Sequence, residues 1–105
     1  MQHLCASAAL LEGQSVSLKA QGLSLFAIRK QGKVYVYKNR CPHRGVPLNW
    51  QPDAFLDDSE SLIRCASHGA LFTIEEGQCV AGPCEGKELE SVFCTEDAEG
   101  IWADL

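Results

Sequence analysis

The sequence predicts an all-β chain of short antiparallel strands. Three observations carry that expectation. Polar and apolar residues alternate in Ser15-Val16-Ser17-Leu18-Lys19, the period of a half-buried strand. Gln-Gly pairs at Gln21-Gly22 and Gln31-Gly32 punctuate the chain at roughly ten-residue intervals, a hairpin rhythm. No helix-period segment longer than about ten residues stands out.

The N-terminal stretch around Leu4-Cys5-Ala6 reads as an edge strand, followed by a helical turn closed at Gly13. His3 reads as a solvated side chain near the end of the chain, and Cys5 as a small packed residue. Ser15 to Lys19, Leu23 to Ile28 and Lys33 to Lys38 read as three successive strands. The last is rich in β formers, Val34-Tyr35-Val36-Tyr37. Asp57-Asp58-Ser59-Glu60 is an exposed polar turn. Leu62-Ile63-Arg64 and Leu71-Phe72-Thr73-Ile74 read as strands on either side of a short loop, the second ending at Glu75-Glu76-Gly77. Leu89 to Cys94 and Ile101 to Ala103 complete the expected strands, joined through Asp97-Ala98-Glu99-Gly100. Trp50 and Trp102 read as packing residues.

A chain of 105 residues makes one domain, residues 1–105, with a modest core that a bound metal would help to staple. An apolar share of 46% argues against disorder. The formal net charge of −5 argues against nucleic acid as a partner and suits a partner with a basic docking surface. Nothing approaches the roughly 18 continuous apolar residues of a membrane span, and the first residues carry neither a basic stretch nor a twin Arg. The expectation is a cytoplasmic monomer with no membrane partner. In that compartment the six cysteines are thiols, free or metal-bound, rather than disulfides.

Two stretches carry chemistry. Cys41-Pro42-His43-Arg44-Gly45-Val46 holds a C-x-H pattern and Cys65-Ala66-Ser67-His68-Gly69-Ala70 a C-x-x-H pattern, with twenty-one residues between His43 and Cys65. Each His precedes a Gly, directly or after one residue, which suits a tight turn around an ion. Two thiols and two imidazoles can make a four-ligand metal site. Zinc accepts this donor set. Zinc fingers usually place both Cys before both His, whereas each half-site here mixes the two types.

The paired patterns resemble the Rieske 2Fe-2S family. The resemblance runs from the strands before Cys41 to the Gly82-Pro83 loop after His68. It implies one 2Fe-2S cluster, with Cys41 and Cys65 on one iron and His43 and His68 on the other. It implies an antiparallel β sandwich of small sheets with a cluster-binding subdomain of two ligand loops, at about 41–50 and 65–72. Gly82-Pro83 corresponds to a loop that shields the cluster, and the flanking Cys79 and Cys84 pair with each other, pack or sit free, packing being the default reading. Arg44, between His43 and Gly45, reads as a docking contact or a solvated charge.

The implied function is a soluble electron carrier, not an enzyme by itself. It would take one electron from an NAD(P)H-dependent flavin reductase to a terminal oxygenase or similar acceptor. The alternatives are a cluster-based redox sensor, a metal-stapled interaction module, and the small subunit of a nitrite reductase. The intact ligands weigh against the last. The departures from the family pattern point to a low potential. High-potential members carry a disulfide across the cluster, where this chain has Val46 and Ser67. They also carry Ser and Tyr hydroxyls that donate to the cluster sulfurs, where this chain has Ala70 and Phe72. Such donors stabilise the reduced, more negative cluster. Their absence sets the expected potential at the low end of the range of about −150 to +300 mV.

Overall fold

The computed structural model describes residues 1–42, 45, 47–49, 51, 53–66, 69–82 and 86–105. Among them no α-helix occurs, and no helix is long and apolar enough to cross a membrane. The chain runs through β1 (Gln2–Cys5), a 3-10 turn (Ser7–Ala9), β2 (Ser15–Ala20), β3 (Leu23–Lys30) and β4 (Lys33–Lys38). It continues through β5 (Leu62–Arg64), β6 (Leu71–Thr73), β7 (Cys79–Ala81), β8 (Ser91–Val92), β9 (Cys94–Asp97) and β10 (Gly100–Ala103). All pairings are antiparallel, as the alternation and turn spacing predict.

Among the described residues three small sheets form. The central sheet has the order β2-β3-β4-β8, an outer sheet β1-β10-β9, and a third sheet β5-β6-β7. The hairpins of the central sheet turn at Gln21-Gly22 and Gln31-Gly32, where both residues have positive φ (51° and 77°, 53° and 78°). Two successive left-handed residues make the type I′ turn, whose twist matches that of the paired strands.

β3 explains how the sheets stack. Leu25, Phe26, Ala27 and Ile28 are all fully buried, and neighbouring side chains on a strand point to opposite faces. Leu25 and Ala27 enter one core with Val36, Ile101 and Ala103, towards the outer sheet. Phe26 and Ile28 enter a second core with Phe55, Ile63 and Phe72, towards the third sheet. The central sheet is therefore covered on both faces. The second core is aromatic: Phe26 stacks on Phe55 at 4.4 Å between centroids and lies 5.7 Å from Tyr37. Tyr37 is buried, and its hydroxyl donates to the Ile74 carbonyl at 2.5 Å. Burial pushes its phenol well above the ordinary value. Each such buried side chain contributes roughly 1.5–3 kcal/mol relative to exposure.

Three expectations change in detail. Leu89 to Cys94 is not one strand. Ser91–Val92 pairs with β4, and the chain then crosses to the outer sheet, where Cys94–Asp97 pairs with β10. The exposed Phe93 marks the switch between sheets. The segment after Glu75-Glu76-Gly77 makes the third strand of its sheet, Cys79–Ala81, because Leu71 and Phe72 pair with Ala81 and Cys79. The 3-10 turn ends at Ala9, and Gly13 belongs to a separate turn whose N–H donates to the Arg29 carbonyl. His3 is exposed, yet its ring meets Trp102 edge-on at 4.9 Å and its Nε2 lies 2.9 Å from the Glu99 carbonyl. Cys5 and Cys94 pack against the core next to the outer sheet. Burial raises both thiols above their ordinary value.

Candidate metal centre

Both predicted thiol donors sit at strand ends beneath the aromatic core. Cys41 follows β4 by way of Asn39 and Arg40, and Cys65 directly follows β5. Neither is exposed, and both belong to the core beside Phe55, Ile63 and Phe72. His43, Arg44, Val46, Trp50, Ser67, His68, Pro83 and Cys84 lie outside the described residues.

The two loops share one backbone design. The Gly45 N–H donates to the Cys41 carbonyl at 2.6 Å, and the Gly69 N–H donates to the Cys65 carbonyl at 2.8 Å. Each cysteine thus opens a five-residue turn closed by the glycine four positions on. Both closing residues are left-handed, with φ +73° and +69°, a conformation that costs glycine little and other residues more. The first turn holds His at its third position and the second at its fourth, so the cysteine–glycine frame, not the cysteine–histidine spacing, is the common element.

The turns are tied together. The second turn is the tip of the β5–β6 hairpin, with the Cys65 N–H donating to the Ala70 carbonyl at 2.8 Å. The neighbouring Ala66 N–H donates to the Leu48 carbonyl, at the end of the first loop, at 2.8 Å. Across the base of the first loop, the Leu48 N–H donates to Asn39 Oδ1 at 2.8 Å, and Asn39 Nδ2 donates to Asn49 Oδ1 at 2.8 Å. Sequence reasoning missed Asn39. Its one visible signal is an amide side chain two residues before a candidate ligand.

Gly82 lies hard against the second turn. A Cβ added there would come within 2.7 Å of the Ala70 Cα. The Gly82 segment therefore presses against Ala70, the residue that follows the second turn. Cys79, where β7 begins, is buried in the same core, and its Sγ lies 3.2 Å from the Ala81 carbonyl.

Charge near the turns departs from the molecular average. Arg40 precedes Cys41 and Arg64 precedes Cys65, and among the described residues neither forms an ion pair. The Arg40 guanidinium lies over Gly45, where an added Cβ would come within 3.1 Å of its Nε. An open concavity of about 500 Å³ beside the second turn is lined by Arg64, Cys65, Ala66 and Gly69. The donor chemistry fits iron-sulfur ligation. Both cysteines are shielded from water, they sit on joined turns of one geometry, and thiolate with imidazole is the donor mix such clusters take.

These paired cysteine turns are carried on a β domain of small antiparallel sheets. Residues 1–95 match the family model of the Rieske [2Fe-2S] domain, and the chain belongs to that family. It is 31% identical over 98 residues to the terminal oxygenase component CarAa of carbazole 1,9a-dioxygenase from a Sphingomonas species, covering 88% of this chain. The chain spans 25% of that relative's length. Among solved structures, Sphingomonas yanoikuyae B1 ferredoxin superposes with a TM-score of 0.79 at 26% identity, covering 98% of this chain and 96% of that one. A chain in the complex of reduced oxygenase and oxidized ferredoxin of carbazole 1,9a-dioxygenase has the same fold. Its TM-score is 0.78 at 20% identity, over 96% of this chain and 89% of that one.

Proposed function

We propose that residues 1–105 form one Rieske domain that carries a single electron on one 2Fe-2S cluster held by Cys41, His43, Cys65 and His68. When bound, the cluster supplies a one-electron couple. The chain's own residues hold the ligand turns, exclude water from the two cysteines and set the charge around them. The observation that carries this reading is the matched pair of buried cysteines, each opening a turn closed by a left-handed glycine, joined through Ala66 and Leu48.

The likeness to a ferredoxin over nearly its whole length supports a carrier. The ferredoxin–oxygenase complex supports a terminal oxygenase as acceptor. An NAD(P)H-dependent flavin reductase is the donor we propose, with the protein acting as a cytoplasmic monomer. The match to a terminal oxygenase component favours a second reading, in which the same domain delivers electrons inside a larger oxygenase. Rapid reoxidation of the reduced chain by a separate oxygenase supports the carrier; no reoxidation by any separate oxygenase supports the second reading.

The first test is electron paramagnetic resonance of the dithionite-reduced protein. Mixed cysteine and histidine ligation is expected to give a rhombic signal whose average g lies below that of all-cysteine 2Fe-2S clusters. A colourless, silent protein containing zinc would overturn the reading.

A further inference from the structure

We infer that Asn39 is a positioning residue that holds the two ligand turns in register. The inference rests on the cluster reading above and adds a residue to it. Asn39 is half-buried between the end of β4 and Cys41. Its own N–H donates to the Ser24 carbonyl at 2.9 Å, which anchors it to the central sheet. Its side chain then spans the base of the first loop, accepting from the Leu48 N–H and donating to Asn49 Oδ1, each at 2.8 Å. Asn49 Nδ2 in turn donates to the Gln51 carbonyl at 2.9 Å. That last bond orients the Asn49 amide, and so requires Asn39 to present nitrogen to Asn49 and oxygen to Leu48.

The Leu48 residue is the hinge of the arrangement. Its N–H is held by Asn39, and its carbonyl accepts from Ala66, the neighbour of Cys65. A continuous path of hydrogen bonds therefore runs from the sheet through Asn39 and Leu48 to the second turn. Cys41 lies inside the loop that Asn39 closes, and Cys65 adjoins the bond at the far end of the path. Loosening Asn39 removes a restraint on the two cysteines' relative position while leaving every predicted ligand residue unsubstituted.

The side chain must be an amide. Aspartate keeps the acceptor for Leu48 but offers no donor, and turns a carboxylate oxygen towards Asn49 Oδ1. Alanine removes both bonds, together with the longer one that Asn39 Nδ2 donates to Ser24 Oγ at 3.5 Å.

The test compares wild type, Asn39→Ala, Asn39→Asp and, as a control, Ser17→Ala, each loaded with cluster anaerobically. Ser17 Oγ donates to Asp53 Oδ1 at 3.1 Å, so the control removes a bond that touches neither turn. The readouts are the rate of cluster loss to a chelator, followed by visible absorbance, and the width of the reduced EPR signal. Asn39→Ala is expected to lose cluster roughly tenfold faster, the scale of lost part-buried hydrogen bonds, with a broadened signal. Asn39→Asp should fall between it and wild type, and Ser17→Ala should match wild type. Unchanged loss and line width in Asn39→Ala overturns the inference. So does acceleration in Ser17→Ala equal to that in Asn39→Ala. Where Asn39→Ala fails to fold, Asn39→Asp decides: faster loss supports the inference, and wild-type loss overturns it. A wild-type chain that takes up no 2Fe-2S cluster overturns the cluster reading itself, and the role of Asn39 with it.

Discussion

Ala70 and Phe72 lie in the aromatic core with no exposed surface, next to the second ligand turn. Neither has a hydroxyl, so neither can donate a hydrogen bond to a group held there. The double change Ala70→Ser, Phe72→Tyr is expected to raise the reduction potential, because the added donors favour the more negative reduced state. Potentiometry checks this, and an unchanged or lower value would contradict the hydrogen-bond argument. At this scale Cys41, His43, Cys65 and His68 stand out as candidate donors from residue type and spacing, and the structure buries the two cysteines in one core. Asn39 is not, since an amide at a strand end is ordinary turn chemistry. Its role depends on Leu48 and Asn49 being brought back beside it.

Among the elements, three glycine-bearing segments meet at the candidate metal centre. Two are closed by Gly45 and Gly69, and the third is the Gly82 segment that presses on Ala70. Gly82 and Gly86 both have positive φ, +98° and +90°, but only at Gly82 would a Cβ meet neighbouring backbone. Gly86→Ala carries the conformational strain alone, roughly 1 kcal/mol. Gly82→Ala adds the clash with Ala70 and is expected to cost about 2–4 kcal/mol. Chemical denaturation of the two variants isolates the close approach, and equal losses would refute it. The Gln-Gly hairpins are legible because turn residues and alternation agree locally. The split of the expected Leu89–Cys94 strand is not. A run of β formers does not say which of two sheets it joins, and here it joins both in succession.

The whole molecule is stitched between sheets by Arg29. Its guanidinium binds the Glu96 carboxylate of β9 at 2.6 and 3.0 Å and donates through Nε to the Leu10 carbonyl at 2.8 Å. The central sheet, the outer sheet and the segment between β1 and β2 meet at this one side chain. The Arg29 hydrogen bonds, helped by Ser7, hold the Glu96 carboxyl below its ordinary value of 4.5. A depressed carboxyl stabilises the fold above its unfolded value, and that contribution is lost as pH falls through the folded one. Wild type is therefore expected to lose stability below about pH 4.5. Glu96→Gln should be less stable at pH 7 by on the order of 1 kcal/mol, allowing for partial solvent screening. The two proteins should converge in acid. Urea titrations at successive pH values check this, and parallel curves would show that the pair does not contribute.

The sequence by itself determined the all-β class, the hairpins of the central sheet and the four candidate donors. These depend on local alternation, turn residues and donor chemistry, which need no distant partner. The tertiary structure decided the three-layer stacking, the crossing of residues 91–97 between sheets, and the shared cysteine–glycine frame. It also brought Asn39, Leu48 and Ala66 into one path. Each of these depends on contacts between segments far apart in the chain, and a half-buried amide or a short β run is compatible locally with many partners. The continuous apolar run Leu25 to Ile28 is the one local sign of the stacking, because a strand covered on both faces has no polar side to present.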